Sequence, residues 1–256
     1  MALPALRAMV GEGGFVLSAW SGLTDPDVHE ALARAPFGAV CFDVQHGLHD
    51  VASVRAGIAR TVQLGKPALV RLSIEDRANA ARFLDLGASA VIMPMIEGVA
   101  DAKAFVDAVK YPPLGARSFG PSRAAELHGY RGVLDYTEVA NAETLALAMI
   151  ETATALDNLG DILAIEGLDG VFVGPSDLSI ALSGTCTWSP EGTVAVDAIR
   201  RIVDTAHAAG KIAAIYAASA AEARRYRDVG YRLVCVSSDL GMLKAGAAAV
   251  AVEVAG

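Results

Sequence analysis

Eight short apolar runs, spaced along a chain of 256 residues, constrain this sequence more than any other feature. They lie at 15–19, 39–43, 68–72, 90–94, 145–151, 170–174, 212–216 and 233–237. Most are nearly continuous in Val, Ile, Leu, Ala and Phe, without the polar alternation of a half-buried strand. Strands covered on both faces read this way. Between them lie segments of helical periodicity. The segment 25–35 opens with Asp25-Pro26, an N-cap followed by proline at the first helical position. The segments 76–86, 154–166, 195–209 and 220–229 stop at Gly87, Gly167, Gly210 and Gly230. Helix, glycine stop, short link and buried strand is the order of consecutive βα units. Eight of them close a single (β/α)8 barrel, and the chain length suits one. A doubly wound open sheet is the alternative, weakened in its dinucleotide form because no GxGxxG turn follows the first strand.

The segment 111–141 interrupts this order with Tyr-Pro-Pro-Leu-Gly and Arg-Ser-Phe-Gly-Pro-Ser-Arg. A long irregular insertion in a compact domain is usually functional. It is expected after the fourth strand, on or near the catalytic face.

Composition narrows the function. Hydrophobic residues make up 54% and charged residues 20%, which excludes disorder. A net charge of −8 argues against nucleic-acid and anionic-membrane partners, although local cations or a metal still permit an anionic substrate. The three cysteines are odd in number and form no CxxC pair; Cys41 and Cys235 sit inside apolar runs and read as reduced core residues, which points to the cytoplasm. The N-terminal residues carry Arg7 and no long apolar stretch, unlike a signal peptide. The most apolar segment, 245–252, is far shorter than the ~20 residues of a membrane span.

In a barrel, chemistry gathers where the strands end. Those ends carry Trp20, Asp43 with His46, Arg71, Glu151, Gly174-Pro-Ser-Asp177 and Tyr216. Glu151 and Asp177 close successive strands, so their carboxylates can converge on an open site for Mg²⁺ or Mn²⁺; alternatively they are N-cap or first-turn acids of the next helices. His46 stands on a strand-end loop, as a general base would. His49 is close to it and is not excluded by spacing, whereas His29, His128 and His207 read as helix or loop-surface residues. Arg71 suits a substrate carboxylate or oxyanion, or a salt bridge with Glu151 or Asp43. The backbone N–H groups of Ser176 and Asp177, at a helix start after Gly174, form an anion cradle.

The lysines argue against a Schiff-base mechanism, which needs a lysine at a strand's active end. Lys66 and Lys211 precede strands, Lys103 and Lys110 lie in a helical segment, and Lys244 falls several residues past the last strand. A metal acting as Lewis acid is the better expectation.

Several segments carry a resemblance: Phe42-Asp-Val-Gln-His46-Gly, Leu86-Gly-Ala with Val91-Ile-Met-Pro-Met, Tyr111-Pro-Pro-Leu-Gly-Ala-Arg, Met149-Ile-Glu-Thr, and the run from Ile165 through Gly174-Pro-Ser-Asp177 to Ser179. Over nearly its whole length the chain resembles the HpcH/HpaI aldolase family, the class II pyruvate aldolases related to 4-hydroxy-2-oxoheptanedioate aldolase. The resemblance implies a barrel of the phosphoenolpyruvate/pyruvate-domain type, commonly hexameric, with the last helix exchanged between neighbours. It implies Glu151 and Asp177 as metal ligands, Arg71 as the group steadying an enolate oxygen, His46 as base, Asp85 as the acid paired with it, and Trp20 and Tyr216 as walls of the aldehyde pocket. The implied cofactor is a divalent metal, Mg or Mn first, with Co, Ni or Zn as alternatives. The implied partners are a 2-oxo acid, pyruvate or hydroxypyruvate, and an aldehyde. Gln45 and Met149 depart from the glutamate and glutamine of other members, and Arg-Ser-Phe-Gly-Pro-Ser departs from the commoner Arg-Gly-Val-Gly, which bears on acceptor preference more than on reaction type. A citryl-CoA or malyl-CoA lyase of the same superfamily, and a non-catalytic barrel holding a small acid, are the rival readings.

Overall fold

The computed structural model describes residues 5–11 and 13–255. Eight parallel strands close into one barrel in sequence order. They are β1 (Val16–Ser21), β2 (Ala39–Asp43), β3 (Ala68–Arg71), β4 (Ala90–Met93), β5 (Leu145–Ile150), β6 (Gly170–Val173), β7 (Ile212–Ala217) and β8 (Leu233–Val236). Closure comes from β8 pairing with β1, with Val16 opposite Leu233 and Ala19 opposite Val236. The open-sheet alternative is thereby excluded.

The continuous apolar runs now have a cause. Within one strand, successive side chains point to opposite faces. Ala39, Cys41, Leu69, Ile92, Leu147, Met149 and Phe172 fill the barrel interior. Their neighbours Val40, Phe42, Val70, Val91, Ala148 and Val171 pack outward under the helices. Both faces are dry, so neither tolerates polar alternation.

Helix ends follow the sequence signals. Asp25 caps Pro26–Arg34 by accepting from the Asp27 N–H. Gly210 and Gly230 end their helices at φ of 67° and 113°, which a Cβ would resist. Two expected helices are subdivided. A 3₁₀ turn, Ile74–Asn79, precedes Ala80–Asp85. The segment 154–166 forms Ala153–Asp157 and Leu159–Leu163.

The insertion is a correction to the sequence reading. It follows β4 and the helix Val99–Val109, and it contains two helices, Ser122–Leu127 and Val133–Glu143. Its opening turn lies at the entry end of the barrel, away from the strand termini. Lys110 fixes it there, donating to the Thr144 carbonyl just before β5 at 2.7 Å and pairing with Asp169 just before β6 at 2.7 Å.

The last helix, Asp239–Ala255, is exposed from residue 243 onward. It leaves uncovered a groove of about 480 Å³, lined by Phe15, Leu17, Phe37, Ala223, Val236 and Met242 among others. None of the described helices is long and apolar enough to cross a membrane.

Candidate active site

The strand termini enclose a cavity of about 210 Å³, lined by Trp20, His46, Arg71, Met149, Phe172, Gly174, Pro175, Ser176, Asp177 and Tyr216. Eight of the nine residues proposed for catalysis, substrate or metal from the sequence are here or at its edge. Glu151, immediately after β5, is buried and meets Gly174 on the cavity wall.

Asp43, the last residue of β2, organises one side. Its Oδ1 accepts Arg71 Nε at 2.8 Å and its Oδ2 accepts Arg71 Nη2 at 2.6 Å. Oδ2 also accepts the Trp20 indole N–H at 3.2 Å, and Oδ1 takes the backbone N–H groups of Gln45 and His46 at 3.1 and 3.3 Å. One buried carboxylate thus aims the arginine fork and shapes the turn that presents His46. Of the two salt bridges open to Arg71, the one with Asp43 forms. Arg71 also lies over the Trp20 ring, 4.8 Å from its centroid, and Trp20 meets Tyr216 edge-on at 5.2 Å. Its remaining N–H donors make no hydrogen bond among the described residues and can meet a ligand.

Glu151 and Asp177 form the other side. Glu151 Oε1 accepts the Met95 backbone N–H at 2.8 Å. Met95 has a φ of 54°, a left-handed conformation uncommon outside glycine. Glu151 Oε2 lies 2.9 Å from where a Cβ on Gly174 would stand, so glycine is what allows the strand end to approach the carboxylate. Burial first, and then the Asp177 charge, push the Glu151 carboxyl above its ordinary range. Asp177 sits in the first turn of the helix Pro175–Ser183, for which Gly174 is the N-cap. Neither acid forms an ion pair with a Lys, Arg or His among the described residues. Two neighbouring carboxylates, one of them buried and lacking a cation, fit a divalent ion. No group of three or more His, Cys, Asp or Glu side chains that could hold a metal exists among the described residues, so water and substrate would complete its coordination.

No lysine lines the cavity among the described residues. Lys211 donates to the Leu168 carbonyl at the entry end, and Lys244 lies on the exposed last helix. Asp85 is the one proposed residue that does not reach the site within a single chain. It ends Ala80–Asp85, a helix running back toward the start of β4, and binds Arg117 Nη2 at 2.6 Å. The sequence reading also missed residues. His29 is fully buried rather than a surface histidine. Met95 stands in one of the segments that carry the resemblance but was given no role, since what it contributes is its backbone N–H. Trp188 donates its indole N–H to Ser176 Oγ at 3.1 Å across an irregular loop.

The HpcH/HpaI aldolase/citrate lyase family model matches residues 17–245. The chain belongs to this family. It is 36% identical to a hydroxypyruvate/pyruvate aldolase of Rhizorhabdus wittichii, over 94% of this chain and 95% of that one. It is 33% identical to a 4-hydroxy-2-oxo-heptane-1,7-dioate aldolase of Salmonella paratyphi A, over 91% of this chain and 87% of that one. The solved structure of a family protein from Burkholderia cenocepacia superposes with a TM-score of 0.87 at 29% identity, covering 98% of this chain and 99% of that one. The chain is accordingly a carbon–carbon lyase of the aldolase type.

Proposed function

We propose that the protein is a metal-dependent aldolase that makes or cleaves 4-hydroxy-2-oxo acids, using pyruvate or hydroxypyruvate and an aldehyde. The observation that carries this is the facing of two chemistries across one cavity: the Glu151 and Asp177 carboxylates on one side, His46 and the Asp43-held Arg71 on the other. A divalent ion held by Glu151 and Asp177, Mg²⁺ or Mn²⁺ by preference for oxygen ligands, would supply Lewis acidity to the 2-oxo acid. The backbone N–H groups of Ser176 and Asp177, opening the helix Pro175–Ser183, hold the substrate carboxylate. Arg71 turns its free donors to the enolate oxygen, an electrostatic contribution of several kcal/mol, about the size of a lost oxyanion-hole donor. His46 moves the proton to and from the aldol hydroxyl. Trp20 and Tyr216 bound the space left for the aldehyde.

The exposed last helix supports a further part of this reading. Leu243, Val250, Val252 and Val254 are left in solvent while an apolar groove lies open beside β1 and β8. A second copy exchanging that helix would satisfy both surfaces, in a homo-oligomer such as a hexamer. Buried, unpaired Cys41 and Cys235 are consistent with a cytoplasmic setting.

Deuterium exchange into the pyruvate methyl group, followed by NMR with Mn²⁺ and again with excess EDTA, tests the chemistry. Exchange that vanishes with EDTA is expected. Exchange that survives it points to a lysine instead, and no exchange under any metal overturns the pyruvate reading in favour of a thioester lyase.

A further inference from the structure

Behind the loop that carries His46 lies a second polar cluster, which the catalytic reading does not use. Asp239, the buried first residue of the last helix, accepts three donors on Oδ2: Ser21 Oγ at 3.1 Å and the backbone N–H groups of Gly22 and Leu23 at 2.9 Å each. Ser21 Oγ is also 3.1 Å from His49 Nε2. A hydroxyl has one proton to give, and the charged carboxylate outcompetes the Leu23 carbonyl at 3.4 Å for it. Ser21 therefore turns a lone pair to His49, and the ring proton sits on Nε2. Nδ1 is left as an acceptor 3.1 Å from Ser53 Oγ, whose proton the Asp50 carbonyl at 3.0 Å also draws. Burial, reinforced by the neighbouring His29, keeps the ring neutral, its pKa pushed down to about 4. The hydrogen bonds from His49 to Asp239 thus run in one direction and end on a fixed charge.

The two loops also meet through their backbones. The Leu48 N–H donates to the Gly22 carbonyl at 2.8 Å, and a Cβ on Gly47 would stand 3.0 Å from Gly22 Cα. His46 lies between this brace and its other tether at Asp43.

We propose that Asp239, Ser21 and His49 are positioning residues that set the loop carrying His46, so that the root of the last helix fixes the reach of the base. The inference rests on the aldolase reading, in which His46 transfers the proton. Displacement of a catalytic group by about 1 Å can cost a hundredfold in rate, whereas substrate binding at Arg71 and the Pro175–Ser183 helix does not depend on this brace.

The test compares Ser21→Ala, Ser21→Thr and His49→Gln with the wild type in Mn²⁺, reading kcat and KM for pyruvate methyl exchange, the melting temperature, and amide exchange of residues 44–50 by mass spectrometry. Ser21→Ala is expected to lower kcat about tenfold or more, with KM for pyruvate within about twofold, and to speed amide exchange in 44–50. Ser21→Thr keeps the hydroxyl and restores most of the rate. His49→Gln, whose amide reaches where Nε2 stood, falls between. A Ser21→Ala enzyme with unchanged kcat and unchanged loop protection overturns the proposal, as does a joint loss of kcat, KM and melting temperature that Ser21→Thr does not restore. A wild type that exchanges no deuterium defeats the aldolase reading instead, and the protection of 44–50 then decides the brace by itself.

Discussion

Arg71 and Asp43 meet through two parallel bonds at 2.8 and 2.6 Å, in a pair buried at the ends of adjacent strands. Two roles share one side chain: half the fork is spent on Asp43, and the rest faces the cavity. Arg71→Lys keeps the charge and loses the fork, so kcat should fall about tenfold to a hundredfold with the fold intact. Asp43→Ala should be worse on both counts. It strands a buried guanidinium, a defect of about 3–5 kcal/mol, and frees the His46 turn. Steady-state kinetics and urea unfolding of the two variants check this.

Gly174 is set against Glu151 so closely that a methyl group would fall 2.9 Å from Oε2 and 3.1 Å from Met149 Cε. Gly174→Ala should push the carboxylate off its place and weaken Mn²⁺ binding, measured by calorimetry, by about tenfold or more, the scale on which supporting contacts around a metal act. Unchanged affinity would remove Glu151 from the metal site.

His46→Ala should reduce turnover by about a hundredfold or more, the usual reach of general acid–base catalysis. Mn²⁺ affinity should hardly change, because neither proposed ligand bonds to His46. Normal turnover in this variant would take His46 out of the role of base.

Acid should destabilise the fold through its histidines. His49 is held from 6.5 down to about 4, by burial first and then by His29. Burial likewise pushes down His29 and His128. Between these values the unfolded chain binds more protons than the native one, so stability is complete above pH 6.5 and is lost as pH falls toward 4. For His49 the displacement corresponds to about 3 kcal/mol at most. Thermal midpoints at pH 7 and pH 5 should therefore separate less in His49→Gln than in the wild type.

The last helix should govern assembly. Val250→Glu and Val252→Glu place charge on its exposed apolar surface, and light scattering should show a smaller particle than the wild type. A wild type that is already monomeric would overturn the exchanged-helix proposal.

The βα order was legible in the chain because strands with two dry faces read as continuous apolar runs, and because glycine stops such as Gly210 and Gly230 mark where helices turn back; eight such units favoured a barrel over an open sheet, and the pairing of β8 with β1 decided it. Residue types at the strand ends were legible for the same reason: a buried strand that finishes in Arg71 or Glu151 must deliver that charge to something. The insertion was harder to place, since Pro and Gly clusters say that a chain turns but not toward which end of a barrel. His29 was harder still, because a histidine on a helix looks solvent-facing until its packing partners are known, and spacing alone left His49 open beside His46. Local sequence thus determined the barrel, through burial and periodicity, and the residue types at its strand ends. Tertiary structure alone decided who meets whom: Arg71 with Asp43, Asp85 with Arg117, the Met95 N–H with Glu151, and Asp239 with Ser21, 218 positions apart. The first three come from the side-by-side packing of consecutive βα units, and the last from the closing of the barrel, which joins β8 to β1 and brings together residues that no local pattern relates.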